Sequence, residues 1–133
     1  DRVRLFEGVN ARELTAAQLA DAMPADGFAL IVIDVSFISL AQVLPAVSAL
    51  RAPGGRLLAL VKPQFEVGRA ALDRRGIADP RAFEPMQARL RAALAACGWR
   101  VIDWFDSVLP GTDGNREFFV HAVAQRESAA AGC

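Results

Sequence analysis

Apolar positions along the chain fall into two patterns that alternate. "RVRLFEG" (2 to 8) interleaves apolar and charged residues with a period of two, which predicts a strand. "LTAAQLADAM" (14 to 23) sets its apolar residues at helical spacing, with Thr15 as the expected cap and Pro24 beyond its end. "FALIVIDV" (28 to 35) is a continuous apolar run closing on an acid, as expected of a strand buried on both faces of a parallel sheet. "SLAQVLPAVSAL" (39 to 50) reads as a helix kinked at Pro45, and "APGG" (52 to 55) reads as a stop. "RLLALVK" (56 to 62) is a second buried strand, and residues 63 to 79 carry no regular period. "PRAFEPMQARLRAALAACG" (80 to 98) predicts a helix with proline at its start and glycine just past its end. "WRVIDWFDSVL" (99 to 109) and "REFFVHAVA" (116 to 124) predict two strands, joined as a hairpin by "PGTDGN".

The resulting order, β-α-β-α-β-α-β-β, predicts an α/β fold. Its sheet is mostly parallel, with right-handed crossovers and a C-terminal antiparallel hairpin strand. A length of 133 residues fits one domain, expected over residues 1 to 126, with 127 to 133 as a disordered tail. No methionine opens the chain and its first residues already read as a strand, so a piece of a longer protein is expected.

Composition narrows the classes. At 53% apolar and 23% charged residues the chain reads as globular, and a formal net charge of zero removes any global pull on nucleic acid or anionic lipid, leaving only local basic patches. The longest apolar run is far too short to span a bilayer. Cys97 and Cys133 are too few and scattered for a disulfide framework or a metal site. A reducing, cytoplasmic compartment is therefore expected, with Cys97 as a small buried helix residue.

One basic position stands apart. Of fifteen Lys and Arg residues, Lys62 in "LVKPQFE" is the sole lysine. A desolvated ammonium can give up its proton, whereas a guanidinium effectively cannot. In open α/β sheets ligands sit at the carboxyl ends of the strands. Asp34 and Lys62 end two strands, and Glu117 begins a strand expected to run the other way, which brings all three to one rim. Each also has a plain reading: Asp34 as a loop cap, Lys62 as a solvated strand end, Glu117 as a hairpin surface charge.

"VIDVSFISL", "LALVKPQFEVGR", "GIADP" and "GNREFF" together resemble the TlyA (haemolysin A-like) branch of the FtsJ-type RNA 2′-O-ribose methyltransferases, over nearly the whole chain and in the expected order. The resemblance implies an incomplete Rossmann-like class I methyltransferase fold, in which the last strand inserts antiparallel among parallel neighbours. It implies S-adenosylmethionine as cofactor and ribosomal RNA, or ribosomal subunits, as partner, with cytidine ribose as the target. Family members use a Lys-Asp-Lys-Glu tetrad, whose Asp, second Lys and Glu correspond to Asp34, Lys62 and Glu117. The first lysine, the glycine-rich cofactor loop and a small N-terminal RNA-binding domain have no counterpart here and would lie upstream.

On that resemblance, Lys62 is the expected base toward a ribose hydroxyl, Asp34 orients it and also belongs to the cofactor side, and Glu117 completes the network. Asn10, in "VNAR", falls where methyltransferases touch the cofactor adenine, or is a plain turn residue. Arg69, Arg74 and Arg75 in the long 63-to-79 segment are candidate RNA-phosphate contacts, or solvated loop charges. His121 is expected to be packed, and Trp99, Trp104, Phe105, Phe118 and Phe119 to be core. No metal is expected. The competing readings are a non-catalytic fragment or RNA-interaction module, and a membrane-lytic role that no amphipathic basic stretch supports.

Overall fold

The computed structural model describes residues 2–126. The expected tail over 127 to 133 lies outside them. Four strands form one sheet: β1 (Phe28–Ile33), β2 (Arg51–Val61), β3 (Trp99–Asp106) and β4 (Phe118–Ala124). The order across the sheet is β1-β2-β4-β3. Helix α1 (Ala16–Leu19) precedes β1, and α2 (Leu40–Ser48) and α3 (Phe83–Ala96) follow β1 and β2 in sequence, with short 3₁₀ turns.

β1 and β2 pair in parallel, whereas β4 pairs antiparallel with both β2 and β3. Three strands thus share one direction and β4 runs against them from within. The expectation of a mostly parallel sheet is corrected to this extent: only one of the three strand pairings is parallel. The last strand enters between β2 and β3 rather than adding to an edge, so it converts what would be a parallel neighbour pair into two antiparallel ladders.

Helix starts follow the capping chemistry. Thr15 and Gln18 form a reciprocal capping box at α1. The Ser39 hydroxyl accepts from Ala41 N at the start of α2, and Gly98 follows α3 at φ +81. α1 lasts a single turn because it passes into a 3₁₀ turn at Ala20–Ala22, shorter than the spacing predicts.

The core lies between the sheet and the pair α2 and α3, which touch each other on one face. Along β4 the odd–even alternation is strict: Phe118, Val120, Ala122 and Ala124 are buried, while the residues between are half-exposed. Leu57, Ala59 and Val61 of β2 meet Leu44, Leu90 and Leu94 in one apolar cluster. Trp99, 1% exposed, donates its Nε1–H to Ser48 Oγ at 2.7 Å, so its one polar atom is satisfied in the interior.

Three further expectations change. Residues 2 to 8 form no strand, and Val3 and Leu5 are 82% and 77% exposed. Alternation makes a segment fit to pair, but a strand exists only with a backbone partner, and none pairs with this one among the described residues. β1 is buried on one face only: Leu30 and Val32 point away from the helices at 56% and 63% exposure. "APGG" is not a stop but a bulge within β2. The β1 register passes from Phe28↔Arg51 to Leu30↔Arg56, and residues 52 to 55 loop out between. Pro53 is tolerated there because β4 pairs with β2 only from Arg56 onward, so no ladder bond needs its missing N–H. Gly27, at φ +90, lets the turn into β1 pass so close to Arg51 that a Cβ would fall 2.6 Å from its carbonyl carbon.

The one-sided core gives a stability contrast. Leu44→Ala should lower the unfolding free energy by ~2–5 kcal/mol, because Leu44 is fully buried. Leu30→Thr should stay within ~0.5 kcal/mol. Chemical denaturation of both variants measures the difference; equal losses would mean that the outer face is as well packed as the inner one.

Candidate active site

β1 and β2 stop at adjacent points because an acid and a proline end them. Asp34 follows β1, and Lys62 follows β2 in an extended conformation (φ −109, ψ 99) ahead of Pro63. Glu117 immediately precedes β4, whose reversed course places it at the same rim. Lys62 Nζ lies 2.7 Å from Asp34 Oδ1 and donates to Ser36 Oγ at 3.1 Å. An ammonium has three N–H donors, so one is left for the space beyond. The lysine side chain is 15% exposed and the aspartate 63%, which makes this a pair with one sheltered and one wet partner.

Glu117 is 8% exposed and accepts from Gln64 Nε2 at 3.2 Å. It makes no direct bond to Lys62 or Asp34; the three meet as walls of one cavity of about 640 Å³, with Gln64, Arg75 and Asp113 also in its lining. Gln64 Oε1 is buried without a hydrogen-bond partner. An orphan acceptor of that kind costs ~1–3 kcal/mol, a cost more usual at functional sites than elsewhere.

Two buried side chains fix the loops around the cavity. Glu66, its side chain 3% exposed, accepts from Ser39 Oγ and from Leu40 N, both at 2.7 Å, and from Arg89 Nη2 at 3.1 Å. It thereby ties the segment after Lys62 to the first turn of α2, where a negative charge is favoured. Asn115, 1% exposed, accepts from Ala78 N at 2.9 Å and donates to Gly76 O at 3.0 Å and to Asp113 Oδ2 at 2.8 Å. It joins the 72-to-78 loop to the β3–β4 hairpin. The Asp113 carboxyl lies below the usual carboxylate range: burial acts to raise it, but hydrogen bonds from Asn115 N–H and side chain, with the charge of Lys62, outweigh that.

Comparison with known proteins matches residues 1–124 to the model of the FtsJ-like methyltransferases. The chain belongs to that family. The curated "Putative rRNA methyltransferase YqxC" of Bacillus subtilis (strain 168) is 41% identical over 122 residues, covering 91% of this chain and 42% of that protein. The "16S/23S rRNA (cytidine-2'-O)-methyltransferase TlyA" of Mycobacterium tuberculosis (strain ATCC 25618 / H37Rv) is 37% identical, over 96% of this chain and 46% of its own length. A solved structure described as "a putative hemolysin from Lactococcus lactis" superposes with a TM-score of 0.83 at 33% identity, over 92% of this chain and 57% of that one. The chain spans less than half the length of the two curated relatives. Its fold is that of the α/β methyltransferases.

Other expected site residues of this FtsJ-like chain are placed less centrally. Asn10 caps the 3₁₀ turn at Ala11–Glu13, accepting from Arg12 N at 3.1 Å, and does not line the Lys62 cavity. Arg69, Arg74 and Arg75 are all exposed, and only Arg75 lines the cavity. Asp73 organises their loop by accepting from Arg75 N and Ile77 N, and the Ile77 bond foremost holds its carboxyl below the usual range. His121 is half-buried in β4 with its Nε2 3.2 Å from Arg56 Nη1. Of the aromatics expected in the core, Phe105 and Phe119 depart: Phe105 is 42% exposed on edge strand β3 and stacks on Phe119, which is half-exposed on the face of β4 that the core cluster does not use.

Sequence reasoning assigned no role to Phe37, Gln64, Glu66, Asp113 or Asn115. All five lie inside the quoted stretches "DVSF", "KPQFE" and "PGTDGN", which is the signal that they matter. Phe37 is 90% exposed at the cavity, in a left-handed conformation (φ +62) rare for a bulky residue, with its ring centroid 4.9 Å from that of Phe65.

Asn115→Ala should cost about 1–3 kcal/mol by stranding Ala78 N and Gly76 O. It should also move the Asp113 carboxyl up toward its ordinary range. A carboxyl depressed in the folded state stabilises above its unfolded pKa and loses that contribution as pH falls through its folded value. The variant should therefore show a weaker acid-limb dependence attributable to Asp113. NMR titration of the Asp113 carboxyl carbon checks the shift, and an unchanged titration would remove the Asn115 side chain as a cause, leaving its backbone N–H.

Proposed function

We propose that the complete protein containing this chain is an S-adenosylmethionine-dependent methyltransferase acting on the 2′-hydroxyl of ribosomal RNA cytidine. The observation that carries this reading is the single cavity in which the Asp34–Lys62 pair and the buried Glu117 meet at the ends of three strands. The names of the relatives supply the substrate. S-adenosylmethionine, when bound, provides an electrophilic methyl group. The described residues fit one side of such a site: Asp34 borders both the Lys62 cavity and an apolar groove along the outer side of β1. Among them there is no glycine-rich turn between a strand and a helix that would cradle the rest of the cofactor.

Within that site this chain's residues handle the acceptor hydroxyl. Lys62, having shed a proton, takes up the hydroxyl proton; Asp34 and Ser36 orient its amine. Glu117, aimed by Gln64, bounds the other side. Phe37 offers an exposed ring beside the cavity, suited to stacking on an unstacked base. Arg75 at the cavity wall, with Arg69 and Arg74 further out, meets RNA phosphates. Some relatives carry hemolysin names, and no observation on this chain favours that second reading; no helix among the described residues is long and apolar enough to cross a membrane.

The decisive variant is Lys62→Arg in the full-length gene product, which keeps the charge and removes the accessible neutral form. Single-turnover methylation of ribosomal RNA should fall ~10²–10⁴-fold, with cofactor affinity near wild type. Near-equal rates would sink the assignment of Lys62 as base. For the 133-residue chain by itself, calorimetry with S-adenosylmethionine should detect no micromolar binding. Micromolar affinity would show that these residues hold a whole cofactor site.

A further inference from the structure

Asp113 is the one carboxylate of the cavity to which the reading above gives no task. It is held with unusual firmness for a residue on an exposed hairpin. Its Oδ1 accepts from Asn115 N at 3.0 Å and its Oδ2 from Asn115 Nδ2 at 2.8 Å, and Asn115 is itself buried and anchored to Gly76 and Ala78. Gly111 leaves room beside Oδ1, since a Cβ there would fall 2.8 Å from it. Each carboxylate oxygen has two lone pairs and spends one on Asn115, so acceptor capacity remains on the exposed side. No Lys or Arg among the described residues forms an ion pair with it; Lys62, whose charge acts on it, is bonded to Asp34.

A fixed, unpaired carboxylate is a poor wall for a cavity that must admit a polyanion, unless the ligand brings it a donor. An internal RNA nucleotide has few donors to bring. Its phosphates have none, and its 2′-hydroxyl is engaged by Lys62 in the proposed reaction. What remains is the base edge, and on cytosine the exposed donor is the N4 amino group, for which aspartate and glutamate are suitable acceptors. Uracil presents an O4 acceptor at the same place, so the carboxylate would repel it as well as fail to bind it.

We propose that Asp113 is a specificity-determining residue that accepts a hydrogen bond from the exocyclic amino group of the target cytosine and so discriminates against uridine. This rests on the methyltransferase reading. The test compares the full-length gene product on two in-vitro-transcribed ribosomal RNAs, one carrying cytidine at the position it methylates, located by mass spectrometry, and one with uridine substituted there. Wild type should prefer cytidine by roughly 10- to 100-fold in single-turnover rate. In Asp113→Asn and Asp113→Ser the preference should fall to within about threefold, because the repulsive acceptor charge is gone.

The ratio is internal to each preparation, so partial misfolding, which lowers both rates together, leaves it unchanged. A third RNA carrying N4,N4-dimethylcytidine adds a check: it should be poor for wild type, and the variants should no longer distinguish it from cytidine beyond its bulk. If both variants keep the full wild-type preference, Asp113 does not read the base and the inference is overturned while the methyltransferase reading stands. If wild type methylates both RNAs equally, there is no discrimination for Asp113 to supply and the inference is likewise overturned. If mass spectrometry locates no methylated ribose in ribosomal RNA treated with the wild-type protein, the methyltransferase reading itself fails and takes the inference with it.

Discussion

The direction of β4 is the constraint on which both fold and site depend. The strand is last along the chain and third across the sheet, and it runs against its neighbours. Inserted in this way, it supplies Val120 and Ala122 to the fully buried centre, satisfies the facing backbone edges of β2 and β3, and turns its beginning toward the ends of β1 and β2. A parallel strand in the same slot would fill the core equally well but would carry Glu117 to the far end of the sheet. The reversal costs only a hairpin, and residues 110 to 113 of its turn also form one wall of the cavity.

Loops usually move more than the strands they join, yet this site is built on three of them. Two buried side chains compensate. Glu66 binds the stretch after Lys62 to the first turn of α2, and therefore to the loop that starts at Asp34. Asn115 binds the hairpin to the arginine-bearing loop. Both place a polar group in the interior with its hydrogen bonds satisfied, which is the condition under which burial of polarity gives definition rather than instability. The orphan Gln64 Oε1 is the exception, and it falls next to Glu117, where a rigid surround can hold it.

Much of this was legible in the sequence, for reasons that also explain where legibility stopped. Runs such as "FALIVI" and "RLLALV" announce strands because few other structures absorb them, and an acid and a Lys-Pro at their ends mark the rim. Periodicity, however, reports that a face is apolar and not what covers it. Residues 2 to 8 alternate correctly and still pair with nothing, and β1 reads as buried on both faces while showing Leu30 and Val32 outward. "APGG" reads as a terminator because local rules weigh proline and glycine, whereas the ladder simply bulges around them. The bonds of Glu66 to Leu40 and of Asn115 to Ala78 cross 26 and 37 residues, and no local pattern encodes such distances. The motif around each residue was visible; its partner was not.

Gly111 shows what this architecture demands of a residue that has no side chain to contribute. Its φ lies outside the left-handed region, so backbone freedom is not the reason for glycine there. The reason is room: a Cβ would sit 2.8 Å from both Asp113 Oδ1 and Glu117 Oε2, and each of those carboxylates is already tethered, one by Asn115 and the other by Gln64. Two acids that face a cavity from one hairpin can stand this close to the chain only where the chain is bare. In a survey of tolerated substitutions Gly111 would therefore behave like a member of the site, as intolerant as the glutamate beside it, while donating no atom to any reaction. Its importance would be that of an empty space kept between two charges.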